Sequence, residues 1–333
     1  MKPLNLEKDN MIKAFVCGFI FLISFSGCLN PGKTPKDKQI QSLTALDGIT
    51  LHVLGTVQDG GSPHINCQRK CCKLLFENPD DTRKVVSLGI VDHSSKKTYL
   101  FDATPDMTSQ LRILSEIAGK SSDGPEGIFL THAHIGHYTG LMYLGREAFG
   151  AKDIPVFAMP KMTAFLRTNG PWNQLVDLKN ISLKPLKDKS TIKLSNNLTV
   201  LPFLVPHRGE YSETVGFKII GPNKSALFIP DIDKWSIWET NIIDEIEKVD
   251  YAFLDATFYD GEEVNHRDIS EIPHPFVIES LELFKDLAPN EKNKIHFIHL
   301  NHTNPLLNKS SEAYKSVIGK GFKVAAFKDI FKL

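Results

Sequence analysis

A cluster of three histidines constrains the fold of this chain more than any other feature. His132, His134 and His137 lie within six residues, directly after the short apolar segment 127–131. Side chains two residues apart on an extended segment point the same way, so His132 and His134 can hold one metal ion together. His137 follows where the chain is expected to turn. Neutral imidazole is a common ligand of zinc, copper, iron and nickel, so the cluster predicts a metal site at the end of a strand.

Further candidate ligands recur where apolar strands are predicted to end. His207 follows residues 198–205, Asp231 follows residues 225–229, and His302 lies just beyond residues 294–299. A fold that directs strand ends to one edge would bring these residues to the histidine cluster. A catalytic zinc site typically has three protein ligands and one position open for water. We therefore expect one or two zinc ions, with iron or manganese as alternatives, and a water that is activated by metal and oriented by Asp231.

Strand and helix patterns alternate along the chain. Aromatic and β-branched runs bounded by Gly, Pro, Asn and Asp predict the strands, and residues 236–249 are predicted to form one helix. No Pro/Gly linker follows residue 46, so we expect residues 46–333 to form one domain, which is large for a single core. Two sheets packed face to face, with helices outside, accommodate a domain of this size.

The N-terminal residues are typical of a targeting segment. Residues 12–26 are apolar apart from Lys13 and the serines, and the run is short for a transmembrane helix. The small residues before Cys28 resemble a bacterial lipobox. The resemblance implies that residues 1–27 are a lipoprotein signal peptide and that Cys28 carries the lipid.

The residues after Cys28 predict a flexible tether over 28–45. A lipid anchor in the bacterial cell envelope follows from this interpretation, and Leu29 favours the outer membrane over the inner one. A plain secretory signal or a single membrane anchor is the alternative, and Met11 is an alternative start to Met1.

The charge balance narrows the class of partner. The chain has 39 Lys+Arg and 39 Asp+Glu, so its formal net charge is zero. Nucleic-acid binding depends largely on a basic surface that neutralises phosphates. We therefore expect a small-molecule substrate and no nucleic-acid partner, and the sequence does not determine the oligomeric state.

A second group of candidate metal ligands lies near the start of the domain. Residues 63–72 contain His64, Cys67, Cys71 and Cys72. Thiolates and imidazole at this spacing can close a tetrahedral structural zinc site without an open position. A disulfide in an oxidising compartment, with one thiol left over, is the alternative.

The order of these motifs resembles the metallo-β-lactamase superfamily. A strand, the T-H-A-H-x-x-H segment, a later His, an Asp after an apolar strand and a last His follow one another within residues 48–333. The resemblance implies an α+β fold: a four-layer αββα sandwich of two mostly antiparallel sheets with outer helices. It also implies that the first metal is held by His132, His134 and His207, that Asp231 bridges, and that His137 and His302 hold the second.

The sequences of several segments resemble more closely one branch of the superfamily, the pyrroloquinoline-quinone biosynthesis protein B type. The segments that resemble it are 55–61, 102–106, 206–217, 229–233 and 301–305. Related members carry a Cys-rich zinc knot at a similar place, which favours zinc over a disulfide at Cys67, Cys71 and Cys72. An exported location fits poorly with a cytoplasmic cofactor pathway, so this branch's role is not carried over on resemblance alone.

One departure from the superfamily concerns the second metal. Gly136 stands where the HxHxDH motif has Asp, which removes a carboxylate. Asp59 or Asp233 is a candidate to supply it, and Arg208 and His274 are further candidates to line the pocket.

Three functions are compatible with these motifs. The first is an exported, lipid-anchored metal-dependent hydrolase that acts on an ester, a lactone or a phosphodiester. The second is an iron-dependent oxygenase or redox enzyme related to the biosynthesis branch. The third, suggested by Gly136, is a non-catalytic lipoprotein that binds a ligand or a partner.

Overall fold

The structure is a computed structural model that describes residues 47–120, 124–264 and 267–333. The predicted signal peptide (residues 1–27), the lipidation site Cys28 and the tether (residues 28–45) lie outside the described residues. Within the described ranges, no helix has the length and apolar character needed to span a bilayer.

Two seven-stranded sheets form the centre of the molecule. In chain order the strands are β1 Ile49–Gly55, β2 Ser87–Asp92, β3 Lys97–Phe101, β4 Gly127–Phe129, β5 Ile154–Ala158, β6 Ile181–Pro185, β7 Ile192–Lys193, β8 Thr199–Leu204, β9 Val215–Ile220, β10 Ser225–Ile229, β11 Tyr251–Asp255, β12 Ile295–Ile298, β13 Lys323–Val324 and β14 Ile330–Lys332. The first sheet has the order β14-β1-β2-β3-β4-β5-β6, and the second has the order β13-β12-β11-β10-β9-β8-β7.

Both sheets are mixed and share one pairing pattern. In the first sheet, β14 to β3 pair antiparallel and β3 to β6 pair parallel. In the second sheet, β7 to β10 pair antiparallel and β10 to β13 pair parallel. The predicted α+β sandwich is confirmed, but its sheets are mixed rather than mostly antiparallel. The reason is that helical crossovers join most of the later strands of each sheet, and a crossover returns the chain in the same direction.

The helices lie in the connections between strands, in both halves of the domain. They are α1 Lys70–Glu77, α2 Met107–Ala118, α3 Ile135–Tyr138, α4 Pro160–Thr168, α5 Trp172–Asp177, α6 Ile242–Glu247, α7 Val277–Leu283, α8 Pro289–Lys292 and α9 Glu312–Gly319. Short 3-10 helices cover Thr139–Leu144, Trp235–Ile237, Gly261–Val264, Ile269–Glu271 and Pro305–Leu307.

Three apolar cores define four layers. Between the sheets, Phe101 and Phe129 stack at 4.9 Å and meet the edge of Phe217 at 5.4 and 5.7 Å, which joins the first sheet to the second. A second core packs α2, α4 and α5 on the outer face of the first sheet. A third core packs α6, α7 and α9 on the outer face of the second sheet. Burial of these fully covered side chains, at about 25 cal/mol per Å² of apolar surface, is the main stabilising contribution.

The helix predicted over residues 236–249 is wrong in its first half. The segment forms a 3-10 turn at Trp235–Ile237 and becomes α-helical only at α6. The indole N–H of Trp235 donates to Ser280 Oγ at 2.9 Å, and that of Trp238 donates to the Leu204 carbonyl at 3.1 Å. These two tertiary contacts hold the segment in a non-helical course. The helix starts afterwards because Asn241 accepts the Ile243 N–H at 3.0 Å and caps it.

Candidate metal centre

The residues that follow several strands meet at one edge of the sandwich. Asp102 follows β3, the histidine cluster follows β4, His207 follows β8, Asp231 follows β10 and His299 follows β12. Strand ends that point to a common edge are a frequent place for sites in layered folds. The ligand atoms of these segments lie within 4.8 Å of one another in groups.

The first group of ligand atoms contains His132, His134, His207 and Asp231, and all of them lie within 4.8 Å of one another. Nε2 of His132 is 2.8 Å from Nδ1 of His134, and Nε2 of His207 is 3.4 Å from that same atom. The Asp231 carboxylate is 3.3 Å from the Nε2 atoms of both His132 and His207. The structure therefore brings together the residues that the sequence assigned to the first metal.

The second group contains Asp59, His137, Asp231 and His299. Oδ1 of Asp59 is 2.8 Å from Nε2 of His137 and 3.2 Å from Nε2 of His299. Oδ2 of Asp231 is 4.0 Å from the Nε2 atoms of both histidines. Asp231 thus belongs to both groups, as expected of a bridging carboxylate.

The second group corrects the prediction for His302. A strand that extends to residue 299 makes His302 the next histidine beyond it, but β12 ends at Ile298. His299 is therefore the first residue beyond the strand, with a left-handed φ of 64°. Leu300 then pairs with the chain after β1, donating to Thr56 O at 2.8 Å. This pairing carries His302 away to the cysteines. The signal that would have found His299 is its position directly after an apolar strand.

The second ring nitrogen of most ligand histidines is held by a hydrogen-bonding partner. Such contacts fix the ring orientation and the tautomer, so that the other nitrogen is free to bind metal. The pairs are His132 Nδ1 with Thr131 Oγ1 at 3.0 Å, His137 Nδ1 with Asp102 Oδ2 at 2.7 Å, His207 Nδ1 with Asp233 Oδ1 at 2.9 Å, and His299 Nδ1 with Thr257 Oγ1 at 2.8 Å. Asp233 therefore orients His207 and is not in the second group. The sequence did not predict Asp102 or Thr257.

His134 is the exception among the ligand histidines. Its Nε2 atom is buried and has no hydrogen-bond partner among the described residues. The nearest carboxylate oxygen is Oε2 of Glu210, at 3.6 Å, on the exposed loop that follows His207. His134 faces the other ligands with Nδ1, whereas His132 and His207 face it with Nε2.

The electrostatic field of the centre is that of a cation site. Burial alone would raise the pKa of Asp231, but the charge of His274 and hydrogen bonds from surrounding histidines hold it well below its usual range. Burial alone would lower the pKa of His299, but the nearby carboxylates, Asp231 first, raise it to about 9. The pKa of His137 is raised in the same way, chiefly by Asp59. The negative field that favours protons on these rings also favours a divalent cation.

The donor set fits a metal ion. Oδ1 of Asp231 is buried, and none of the described residues makes a well-aligned hydrogen bond to it, although ring nitrogens of His274 and His207 lie 3.2 and 3.3 Å away. Burial lowers the pKa of His132 to about 3, so this ring is neutral and offers a lone pair. Imidazole rings that converge on a buried carboxylate oxygen are the ligand types that zinc and iron prefer.

The remaining predicted pocket residues lie at different depths. His274 lies against the centre, with Nδ1 3.2 Å from Oδ1 of Asp231 and 3.0 Å from Oδ2 of Asp255. Arg208 is exposed on the loop that follows His207. His274 therefore touches the bridging carboxylate, whereas Arg208 stands at the rim.

The cysteine group consists of Cys67, Cys71, Cys72 and His302, whose ligand atoms lie within 4.8 Å of one another. His302 takes the place that the prediction gave to His64. His64 instead donates its backbone N–H to Cys72 Sγ at 3.3 Å, and its ring stacks on His302 with the centroids 4.5 Å apart. His302, which the sequence predicts as a ligand of the histidine centre, is thus the fourth member of the cysteine group.

The sulfur spacing favours an ion over a disulfide. All three cysteines are free thiols, with Sγ–Sγ distances of 4.0 Å for Cys67–Cys71 and 3.9 Å for Cys71–Cys72. Tetrahedral zinc with Zn–S bonds of about 2.3 Å places its sulfurs ~3.8 Å apart. Burial raises the pKa of Cys71 to about 12, so a nearby cation is needed to hold this sulfur as a thiolate.

Comparison with known proteins places this geometry in a family. Residues 97–297 match the family described as the β-lactamase superfamily domain. Coenzyme PQQ synthesis protein B of Methylococcus capsulatus is 25% identical over 303 residues, covering 83% of this chain and 97% of that protein. The same protein of Nitrosococcus oceani is 25% identical over 305 residues, with 83% and 97% covered.

Solved structures agree on the fold. Zn²⁺-bound PqqB from Methylobacterium extorquens superposes with a TM-score of 0.69 at 21% identity, covering 85% of this chain and all of that one (100%). A diphosphatase from the PhnP family superposes with a TM-score of 0.60 at 21% identity, covering 85% and 96%. The chain therefore belongs to the β-lactamase superfamily domain family and has the metallo-β-lactamase fold.

Proposed function

We propose that this protein is a metal-dependent hydrolase that acts on an ester, a lactone or a phosphodiester. The observation that carries the proposal is the pair of four-residue ligand groups that share Asp231. A shared carboxylate between two sets of histidines suits a pair of ions in one hydrolytic centre. Structural neighbours described as a diphosphatase and as human tRNase Z are hydrolases, which supports this class.

The chain's own residues provide the ligands and fix their orientation. His132, His134 and His207 would hold one ion, His137, His299 and Asp59 the other, and Asp231 both. Bound there, such ions supply a Lewis acid and lower the pKa of coordinated water to about 7. Asp102, Asp233 and Thr257 hold the ring tautomers that leave the inward nitrogens free. His274, in contact with Asp231 and Asp255, is placed to exchange a proton at its ring.

A cavity of about 520 Å³ opens beside His207, a size that suits a small-molecule substrate. Its lining includes Lys161 and Lys189 together with Glu213 and the indole of Trp238. The cavity therefore offers cationic, anionic and aromatic contacts to a substrate.

The hydrolase proposal is tested with protein reconstituted in turn with zinc, manganese and iron. We expect hydrolysis of at least one class in a panel of esters, lactones and phosphodiesters. The His132→Ala/His134→Ala variant should lose at least about 100-fold in kcat/KM, since two ligands of one ion are removed. His93→Ala is the matched control, because His93 lies in the β2–β3 turn away from the ligand groups. Turnover of no substrate with any metal would overturn the proposal.

A second candidate is an iron-dependent oxygenase or redox enzyme. The observation that favours it is the similarity to coenzyme PQQ synthesis protein B over 83% of this chain. Histidine and carboxylate ligands suit iron as well as zinc. Elemental analysis after aerobic and anaerobic purification separates the two candidates, because active protein that contains zinc alone excludes the redox role. A non-catalytic role in binding was suggested by the missing carboxylate at Gly136. Asp59 places a carboxylate beside this glycine, so that reason no longer applies.

We propose further that Cys28 anchors the protein to the bacterial cell envelope. The proposal rests on the apolar run 12–26 followed by small residues and a cysteine. We expect Cys28→Ala to move the protein from the membrane fraction to the soluble fraction and to abolish incorporation of labelled fatty acid. Equal partition of the variant and the wild type would contradict the anchor.

A further inference from the structure

The helix that carries His137 has no room for a side chain at position 136. A Cβ atom placed on Gly136 would lie 2.5 Å from the Cα of Asp59 and 2.7 Å from its Oδ1. Distances below 3.0 Å between such atoms force a shift, and the nearest atom here is backbone. The Asp59 loop, residues 56–69 between β1 and α1, therefore packs directly on this glycine.

The carboxylate of Asp59 fills the space left by the missing side chain. Its Oδ1 atom contacts Nε2 of both His137 and His299, and the side chain is only 12% exposed. A carboxylate next to the second group is thus present, but it comes from a loop and not from the histidine helix.

The base of the Asp59 loop is tied to the segment that carries His299. The backbone N–H of Gln58 donates to Leu300 O at 2.9 Å, and that of Leu300 donates to Thr56 O at 2.8 Å. Asp59 therefore directly follows a paired segment. In the segment opposite, His299 comes just before Leu300, and His302 comes two residues after it.

The far part of the same loop is tied to the cysteine group. The ring of His64 lies against Gly60, where a Cβ would be 2.5 Å from its Cδ2 atom. That ring also stacks on His302, and the His64 backbone N–H donates to Cys72 Sγ. One histidine side chain thus fills the space between the cysteine group and the residue next to Asp59.

From these contacts we propose that the Asp59 loop supplies the carboxylate that the histidine helix lacks, and that the cysteine group controls the second metal position through this loop. An ion held by Cys67, Cys71, Cys72 and His302 stabilises the loop conformation in which Asp59 reaches His137 and His299. Loss of that ion releases the carboxylate. The inference rests on the proposed function only in assuming that the second group binds metal.

The first test changes the loop and its contact without touching the cysteines. Asp59→Asn removes the charge at constant volume, and Gly136→Ala removes no ligand but displaces the loop. We expect both to weaken binding of the second ion by at least about tenfold and to leave the first ion bound. Ile135→Ala is the matched control, because Ile135 is exposed on the same helix. If Asp59→Asn, which introduces no clash, binds two ions in the histidine centre as tightly as the wild type, the proposal is wrong.

The second test removes the cysteine group. Cys67→Ser/Cys71→Ser protein is titrated with cobalt(II), whose thiolate absorption reports the cysteine group separately from the histidine centre. We expect loss of the thiolate band together with one of the two ions of the histidine centre. Retention of both histidine-centre ions with native affinity would overturn control by the cysteine group. These measurements count ions without any substrate, so an absence of hydrolysis does not affect their outcome.

Discussion

Replacement of Asp231 by Asn is expected to weaken binding of both ions by at least about 100-fold and to reduce hydrolysis accordingly. The reason is that this one carboxylate lies within 4.0 Å of ligand nitrogens in both groups, from His132 and His207 on one side to His137 and His299 on the other. The amide keeps the shape of the side chain but not its charge. Metal content after dialysis, with competition by a chelator of known affinity, measures the effect.

Asp233→Asn is the control for this experiment. Among the described ligand residues, the Asp233 carboxylate contacts His207, through Nδ1, and none of the second group, so its loss should weaken the first ion by about 10- to 100-fold and leave the second ion bound. An Asp231→Asn variant that retains both ions with native affinity would exclude Asp231 as the bridging ligand.

Replacement of Asp102 by Ala is expected to lower the free energy of unfolding by about 3–5 kcal/mol, as for a buried charge network that loses one partner. The Asp102 carboxylate is fully buried and accepts three groups: the N–H and hydroxyl of Thr131 at 2.8 and 2.9 Å, and Nδ1 of His137 at 2.7 Å. Removing it leaves all three without their acceptor. Denaturant unfolding of metal-free protein measures the loss without a contribution from bound ions.

Asp102→Asn separates stability from metal binding. The amide can still accept from Thr131, so this variant should be clearly more stable than Asp102→Ala. Its NH₂ group, however, faces Nδ1 of His137 and favours the tautomer with a proton on Nε2, the nitrogen that faces Asp59. We expect the second ion to bind about 10- to 100-fold more weakly. Unfolding of Asp102→Ala within about 1 kcal/mol of the wild type would contradict the role of Asp102 in the fold.

The first group of ligands illustrates what local pattern can predict. His132, His134, His207 and Asp231 each stand at or near the end of an apolar strand, and the structure brings all four together. The strand signals are clear there, because residues 225–229 and 198–205 are mostly apolar or β-branched and lie close to β10 and β8. Short edge strands such as β7 and β13, of two residues each, carry no such pattern, and the sequence does not predict them.

The second group shows where that reasoning failed. The predicted strand end is one residue too late, so the sequence pattern assigns His302 to this group in place of His299. Strand ends are the least certain part of a sequence pattern, because the last residue of a strand differs from the first loop residue only in its hydrogen bonds. At the cysteines, His64 is the histidine nearest in sequence, whereas His302 reaches them only through the tertiary structure.

The sequence by itself determined the layered α+β architecture and the chemistry of the centre, because both depend on local periodicity and on which side chains can bind metal. The tertiary structure alone decided the partition of ligands between the two groups and the cysteines. Asp59 and Gly136 are separated by 77 positions, and the contact between them exists only because the Asp59 loop packs on the histidine helix. The parallel half of each sheet was decided in the same way, since strand direction depends on crossovers and not on the residues of any one strand.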